Sequence, residues 1–294
     1  MNFTLKRGGL LLFIVCITMG IYAQKQVKIQ YLDFNTTDIY KITMKDESTY
    51  MGNFVAKKDS TIIISTKSTT IELLTKDIAS VKTISESSFV NGKYWFPNPH
   101  PSRYFFSPSA FNLKKGEGYY QNIYGTINSV TLGLSDHFTL GVGTELISLF
   151  SGNPVLILTP KVGGYNIAPK WKAGGGAILA TGGSEFFGIG YGIVTQGRED
   201  RNITFGLGWA FSSEGTLATR PVVTVSGMSR FRKNIAFVTE NWLIPADGYE
   251  PFISFGLRFF GENLAVDVAL INSPVINSEI IPIGIPYIDF VYKF

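Results

Sequence analysis

The feature that most constrains this chain is a two-residue alternation, repeated in segments of about ten residues over its C-terminal part. In ITFGLGWAF, Ile203, Phe205, Leu207, Trp209 and Phe211 take one face, and Thr204, Gly206, Gly208 and Ala210 the other. HFTLGVGTEL sets Phe138, Leu140 and Val142 against Thr139, Gly141, Gly143 and Glu145, and FISFGLRFF and NLAVDVAL repeat the pattern. Successive side chains of a strand point to opposite faces, so each segment is a strand with one bulky face and one small face. A soluble sandwich would turn the bulky face inward and cover the outside with charge. Here the second face is mostly glycine and alanine, with too few charges for a wet exterior. Turning the bulky face to lipid and the small face to a lumen removes the conflict. Lipid leaves no partner for an open sheet edge, so the sheet must close. The expected fold is all-β, a transmembrane antiparallel β-barrel.

Glycine marks where it begins: 5 of the 31 glycines lie before residue 116 and 26 lie at or after it. Candidate strands lie at 119–134, 137–149, 155–166, 170–181, 185–196, 202–212, 219–231, 234–244, 250–260, 264–272 and 283–294. RYFFSPSAFNL (103–113) supplies one more, with Lys114-Lys115-Gly116-Glu117 as an outer turn. Twelve strands are expected, in keeping with the even numbers of bacterial barrels. Ten is the alternative, should 103–113 and 119–134 be partly plug. Tight connections such as Ser135-Asp136-His137 and Gly261-Glu262-Asn263 alternate with longer ones such as 212–220 and 272–282. The tight set is expected at the periplasmic end.

The chain opens with Lys6 and Arg7, the apolar run Leu10–Val15 and Ile17–Ile21, and Ile21-Tyr22-Ala23, which read as a cleaved signal peptide over 1–23. Cys16 is the only cysteine and falls inside it, which leaves no disulfide framework and no thiolate metal site. Without Lys6 and Arg7 the chain carries 24 basic against 22 acidic side chains, a balance that does not call for nucleic acid. Residues 24–86 read as a separate periplasmic domain of five short strands, DIYKITMK, TYMGNFVA, TIIIST, TTIELL and SVKTI, closing a small barrel. That order resembles the Sm-like or SH3-like small barrels. The resemblance implies their fold alone, because the Arg-Gly or Lys-Gly signature of the RNA-binding members is missing, and it suggests a module for a periplasmic protein partner. Residues 87–102, with three prolines, read as a linker, and 103–294 as the barrel.

The last segment, YIDFVYKF, places Ile288, Phe290, Tyr292 and Phe294 at two-residue intervals. It resembles the C-terminal assembly signal of Gram-negative outer-membrane barrels, which the barrel assembly machinery reads by strand addition. The resemblance covers 103–294 and implies an outer-membrane protein in contact with lipid, its N-terminal domain and C-terminus periplasmic. By strand phase the polar lumen candidates are Glu145, Lys172, Arg258, Asp267, Asp289 and Lys293, with Glu240 beside them. They read as ion pairs bracing a narrow barrel or as a solute pathway. Gly141, Gly143, Gly174, Gly176, Gly188, Gly190, Gly192, Gly206 and Gly208 are assigned to the same lumen face. The two histidines, His100 and His137, are not placed for hydrolysis at the outer rim, and no nucleophile elbow, zinc or phosphate-loop motif occurs. No catalytic residue, metal or cofactor is expected. The reading is a non-enzymatic outer-membrane barrel with a structural or passive small-solute role. The alternatives are a dedicated solute channel, a lipid-modifying barrel enzyme and a soluble secreted β protein.

Overall fold

The computed structural model describes residues 34–182, 185–246, 248–275 and 282–294. The expected signal peptide and Cys16 lie outside the described residues. The chain divides into two compact units between Phe96 and Pro97.

The first unit is a five-stranded antiparallel sheet of β1 (Ile39–Met44), β2 (Thr49–Lys57), β3 (Thr61–Ser65), β4 (Thr70–Leu74) and β5 (Ile78–Ile84), in the order β4-β3-β2-β1-β5. Alternation in IYKITM and TIIIS sends Tyr40, Ile42, Ile62 and Ile64 to one face, where they form a core with Leu73 and Ile78. Phe34 stacks on Phe54 at 4.8 Å and meets Tyr40 edge-on at 5.1 Å. The strands match the expected positions. Among the described residues β4 and β5 are edges with no pairing between them, so the sheet is not closed by a ladder. Residues 87–102 are not a plain linker. Phe89–Val90 (β6) and Lys93–Tyr94 (β7) form a hairpin whose turn, Asn91-Gly92, has φ of 51° and 71°, the left-handed pair that Asn-Gly accepts most readily.

The second unit is a closed barrel of twelve antiparallel strands. They are β8 (Gly118–Ile123), β9 (Ile127–Ser135), β10 (Phe138–Glu145), β11 (Leu156–Ala168), β12 (Trp171–Gly182), β13 (Glu185–Arg198), β14 (Arg201–Ser212), β15 (Val222–Arg232), β16 (Ile235–Pro245), β17 (Tyr249–Phe260), β18 (Leu264–Asn272) and β19 (Ile285–Lys293). A short helix, α1 (Leu146–Ser151), joins β10 to β11. Closure is made by β19 on β8, from Asp289 opposite Ile123 to Lys293 opposite Tyr119. The backbones of Gly118 and Phe294 exchange hydrogen bonds of 3.2 and 2.9 Å at the end of that seam.

Twelve strands are present, but not the expected twelve. The segment 103–113 is no wall strand. The expected single strand 119–134 is two, β8 and β9, folded at Tyr124-Gly125, where φ is 55° and 76°. Lys114–Glu117 therefore lies at the end of the barrel that holds Phe294, not at the opposite end, and Lys293 Nζ reaches Glu117 Oε1 at 3.0 Å. The turns at 135–138, 168–171, 198–201, 232–235 and 260–264 share that end.

The exterior is apolar. Ile203, Phe205, Leu207 and Trp209 of β14, and Ile253, Phe255, Leu257 and Phe259 of β17, are exposed, while the residues between them are buried or half-buried. Ile288, Phe290, Tyr292 and Phe294 are likewise exposed. Exposed aromatics sit near both rims, with Tyr165, Trp171, Phe231 and Tyr292 at the C-terminal end and Phe186, Phe187 and Tyr249 at the other. An apolar band between aromatic girdles is the surface that a bilayer stabilises. The glycine assignment needs one correction. In β13 the register pairs Gly188, Gly190 and Gly192 with Phe211, Trp209 and Leu207, so these glycines face outward, whereas Ile189, Tyr191 and Ile193 face the lumen. Alternation is preserved, but in β13 the bulky phase points inward.

Candidate functional site

The lumen is occupied by the chain itself. Asn98 donates from Nδ2 to Glu199 O (3.1 Å) in the β13–β14 turn, and Asn112 and Lys115 bind Asp136 (3.3 and 2.9 Å) in the β9–β10 turn, so both ends of this segment lie at the C-terminal end of the barrel. Between them the backbone doubles back. Tyr104 N donates to Ser107 O (2.9 Å), Ser109 N donates to Ser102 O (3.0 Å), and Arg103 pairs with Pro108. At the tip, the rings of Phe105 and Phe106 each lie 5.1 Å from that of Tyr287. Tyr104, Phe105, Ala110, Phe111 and Leu113 are all buried.

Three charged wall residues hold this plug by its backbone. Lys161 Nζ on β11 donates to the carbonyls of Ser102, Ser109 and Phe111 at 3.0, 3.1 and 2.7 Å. Glu240 on β16 does the converse: its Oε2 accepts the successive N–H groups of Phe105, Phe106 and Ser107 at 2.9, 2.9 and 2.8 Å, and its Oε1 accepts Trp242 Nε1 at 2.7 Å. Consecutive N–H groups converging on one oxygen form a nest for an anion. Arg258 on β17 pairs with Asp267 through two bonds of 2.7 and 2.6 Å and donates to the carbonyls of His100, Arg103 and Tyr104 at 2.8, 3.2 and 2.8 Å. A charge taken out of water needs partners around it, and here the plug's own peptide groups supply them.

Further hydrogen bonds complete the ring of anchors. Tyr104 OH reaches Asn202 Oδ1 (2.5 Å) and Thr204 Oγ1 (2.7 Å), and Ala110 N donates to Thr195 Oγ1 (2.8 Å). Asp289 Oδ2 accepts from Gln121 Nε2 (2.5 Å) and Tyr287 OH (2.9 Å), and Gln121 Oε1 accepts from Arg103 Nη1 (2.6 Å). Glycines leave room where the plug touches the wall. A Cβ on Gly133 would stand 2.2 Å from Lys114 O, and one on Gly163 would stand 3.1 Å from Ala110 O.

Of the lumen candidates, Arg258, Asp267, Asp289 and Glu240 are buried inside and bonded as above. The others lie at the rims. Glu145 ends β10, where its carboxylate accepts the N–H groups of Ile147 (2.9 Å) and Ser148 (2.7 Å) and caps α1. Lys172 binds Asn166 Oδ1 at 2.8 Å, and Lys293 pairs with Glu117. Half-burial works against the Glu117 charge, but the Lys114 N–H and the Lys293 ammonium outweigh it and hold the carboxyl below the ordinary glutamate range. Sequence reasoning missed Lys161. Its signal was present, because it shares a phase with Thr159 and Gly163, opposite Leu158 and Val162.

The histidines are set apart from one another. His137 Nδ1 donates to Gly163 O (2.9 Å) and its ring stacks on Tyr165 at 4.5 Å, while His100 is buried in the plug with its ring edge-on to Tyr119. Among the described residues no group of three or more His, Cys, Asp or Glu side chains could hold a metal ion.

No family model matches the chain, and no curated protein matches it. Solved structures to which it is similar include a KdgM porin in complex with disordered oligogalacturonate, at 12% identity and a TM-score of 0.42 over 60% of this chain and 95% of that one. A NanC porin matches at 7% identity and 0.40, over 60% and 97%. A loop-deletion mutant of OmpT, an outer membrane protein of Vibrio cholerae, matches at 12% identity and 0.29, over 87% and 96%.

Proposed function

We propose that this protein is a non-enzymatic outer-membrane barrel whose lumen is kept shut by its own segment 97–113. The observation that carries this reading is the clamping of the plug backbone from separate walls by Lys161, Glu240 and Arg258. An open pore lines its lumen with solvated charge that tunes passage. Here the central charges are spent on peptide groups, which suits a structural envelope role rather than free diffusion. The apolar exterior and its aromatic rims support insertion in the outer membrane. The N-terminal domain and Phe294 are both assigned to the periplasm in this reading. Ile288, Phe290, Tyr292 and Phe294 serve in this reading as the strand presented to the assembly machinery.

A dedicated solute channel is the second reading. It is favoured by a small cavity, of about 20 Å³, left between the plug and the wall. Planar-bilayer recording of the full-length protein separates the two. The plugged reading expects no sustained large conductance, whereas discrete open-channel current in most insertions overturns it. Recovery of the mature protein in the periplasm without detergent would remove the membrane assignment itself.

A further inference from the structure

The cavity beside the plug has a chemistry that the plug's anchors do not use. Its wall includes Ser102 and Arg103 of the plug, Thr131, Thr159 and Tyr191 of the barrel, and the stem of Lys161. Arg103 carries five N–H donors in a planar fork. One is bonded, to the neutral Gln121 Oε1, and among the described residues the guanidinium makes no ion pair. Among the described residues the hydroxyls of Thr131, Thr159 and Tyr191 make no hydrogen bond to protein, and Ser102 Oγ is buried without a partner. No carboxylate among the described residues lines the space. The acid nearest in the network, Asp289, lies on the far side of Gln121 and takes that side chain's N–H. A guanidinium with unspent donors, among hydroxyls that can each donate, is left seeking an acceptor that carries charge.

We propose that this cavity is a binding site for a small carboxylate anion, with the Arg103 fork taking the carboxylate and the surrounding hydroxyls taking its remaining lone pairs. A planar carboxylate matches the paired N–H groups of arginine, and such charge-assisted pairs are the stronger kind of hydrogen bond. Lys161 contributes positive potential, although its own N–H groups are spent on the plug carbonyls. The assignment rests on the plugged arrangement, since two of its groups belong to the plug.

The test is calorimetric titration of the folded full-length protein in detergent with sodium acetate, against sodium chloride at matched ionic strength and glycerol as a neutral control. Saturable binding of acetate alone is expected, weakened at least tenfold in Arg103→Gln. Arg103→Lys keeps the charge without the fork and should fall between the two. Lack of saturable acetate binding in a protein with intact heat-modifiable mobility overturns the proposal. So does equal affinity in Arg103→Gln, or an equal response to chloride. The plugged reading fails separately, by the conductance assay.

Discussion

Replacing Glu240 by Gln removes one charge and leaves a geometric conflict that the structure makes explicit. The carboxylate uses both oxygens as acceptors: Oε2 for the three N–H groups of Phe105, Phe106 and Ser107, and Oε1 for Trp242 Nε1. A glutamine has one acceptor end and one donor end. If its oxygen serves the plug, its NH₂ group faces the indole N–H. If it serves Trp242, three buried amide donors face an NH₂ group. Leaving buried donors unsatisfied in this way costs about 1–3 kcal/mol. The plug tip is the part that depends on it, so the loss should appear there before the barrel wall unfolds. Hydrogen exchange of the amides of 105–107 in the folded protein reads it directly, because about 2 kcal/mol corresponds to about thirtyfold faster exchange. Glu240→Gln with Trp242→Phe removes the donor conflict and should recover part of the loss, a coupling that a double-mutant cycle isolates. Unchanged exchange at these three amides, with the wall strands intact, would refute the reasoning.

Other outcomes follow from the same geometry. Asp267→Asn leaves Arg258 without its ion pair and should lower the urea midpoint of the detergent-folded protein by the equivalent of about 3 kcal/mol or more. Gly133→Ala drives a methyl against Lys114 O and Leu113, and an overpacked contact of this kind costs about 1–3 kcal/mol, measured by the same unfolding curve. The Glu117–Lys293 pair sets a pH dependence: the folded carboxyl lies below its unfolded value, so its contribution is full above about pH 4.3 and is lost as pH falls through the lower folded value. Glu117→Gln should flatten that part of the acid limb in a melting series from pH 6 to about pH 2. The effect should be small because the pair is partly solvated.

How far the sequence carries this fold can be followed through single segments. ITFGLGWAF and FISFGLRFF showed their faces at once, because each bulky phase meets lipid and each small phase meets the interior. TLGLSDHFTL revealed its turn through Ser135-Asp136-His137. The plug was harder to see. RYFFSPSAFNL contains strand-forming aromatics, and only Pro108 and the consecutive Tyr104-Phe105-Phe106 break the alternation, which argues against a paired wall strand. The β8–β9 turn at Tyr124-Gly125 was hidden inside an apparently continuous segment. The two misreadings offset each other, so the strand number emerged correctly from the wrong members. In β13 the glycines Gly188, Gly190 and Gly192 share a phase, as expected, but strand phase alone does not say which side is lipid. That choice is made by the register with β14. The plug partners of Lys161 and Glu240 were not legible at all, since they are backbone groups of a segment distant in sequence.

The claim on which the rest depends is that segment 97–113 lies inside the barrel. Ala110 N stands 2.8 Å from Thr195 Oγ1 on the lumen face of β13, and Val194 beside it faces outward. Oxidative cross-linking of the Ala110→Cys, Thr195→Cys pair in membranes, on a background with Cys16→Ser, is therefore the most direct measurement. Nearly complete intramolecular disulfide is expected for that pair, and almost none for Ala110→Cys with Val194→Cys. Equal yields from the two pairs, or no bond in either, would contradict the account.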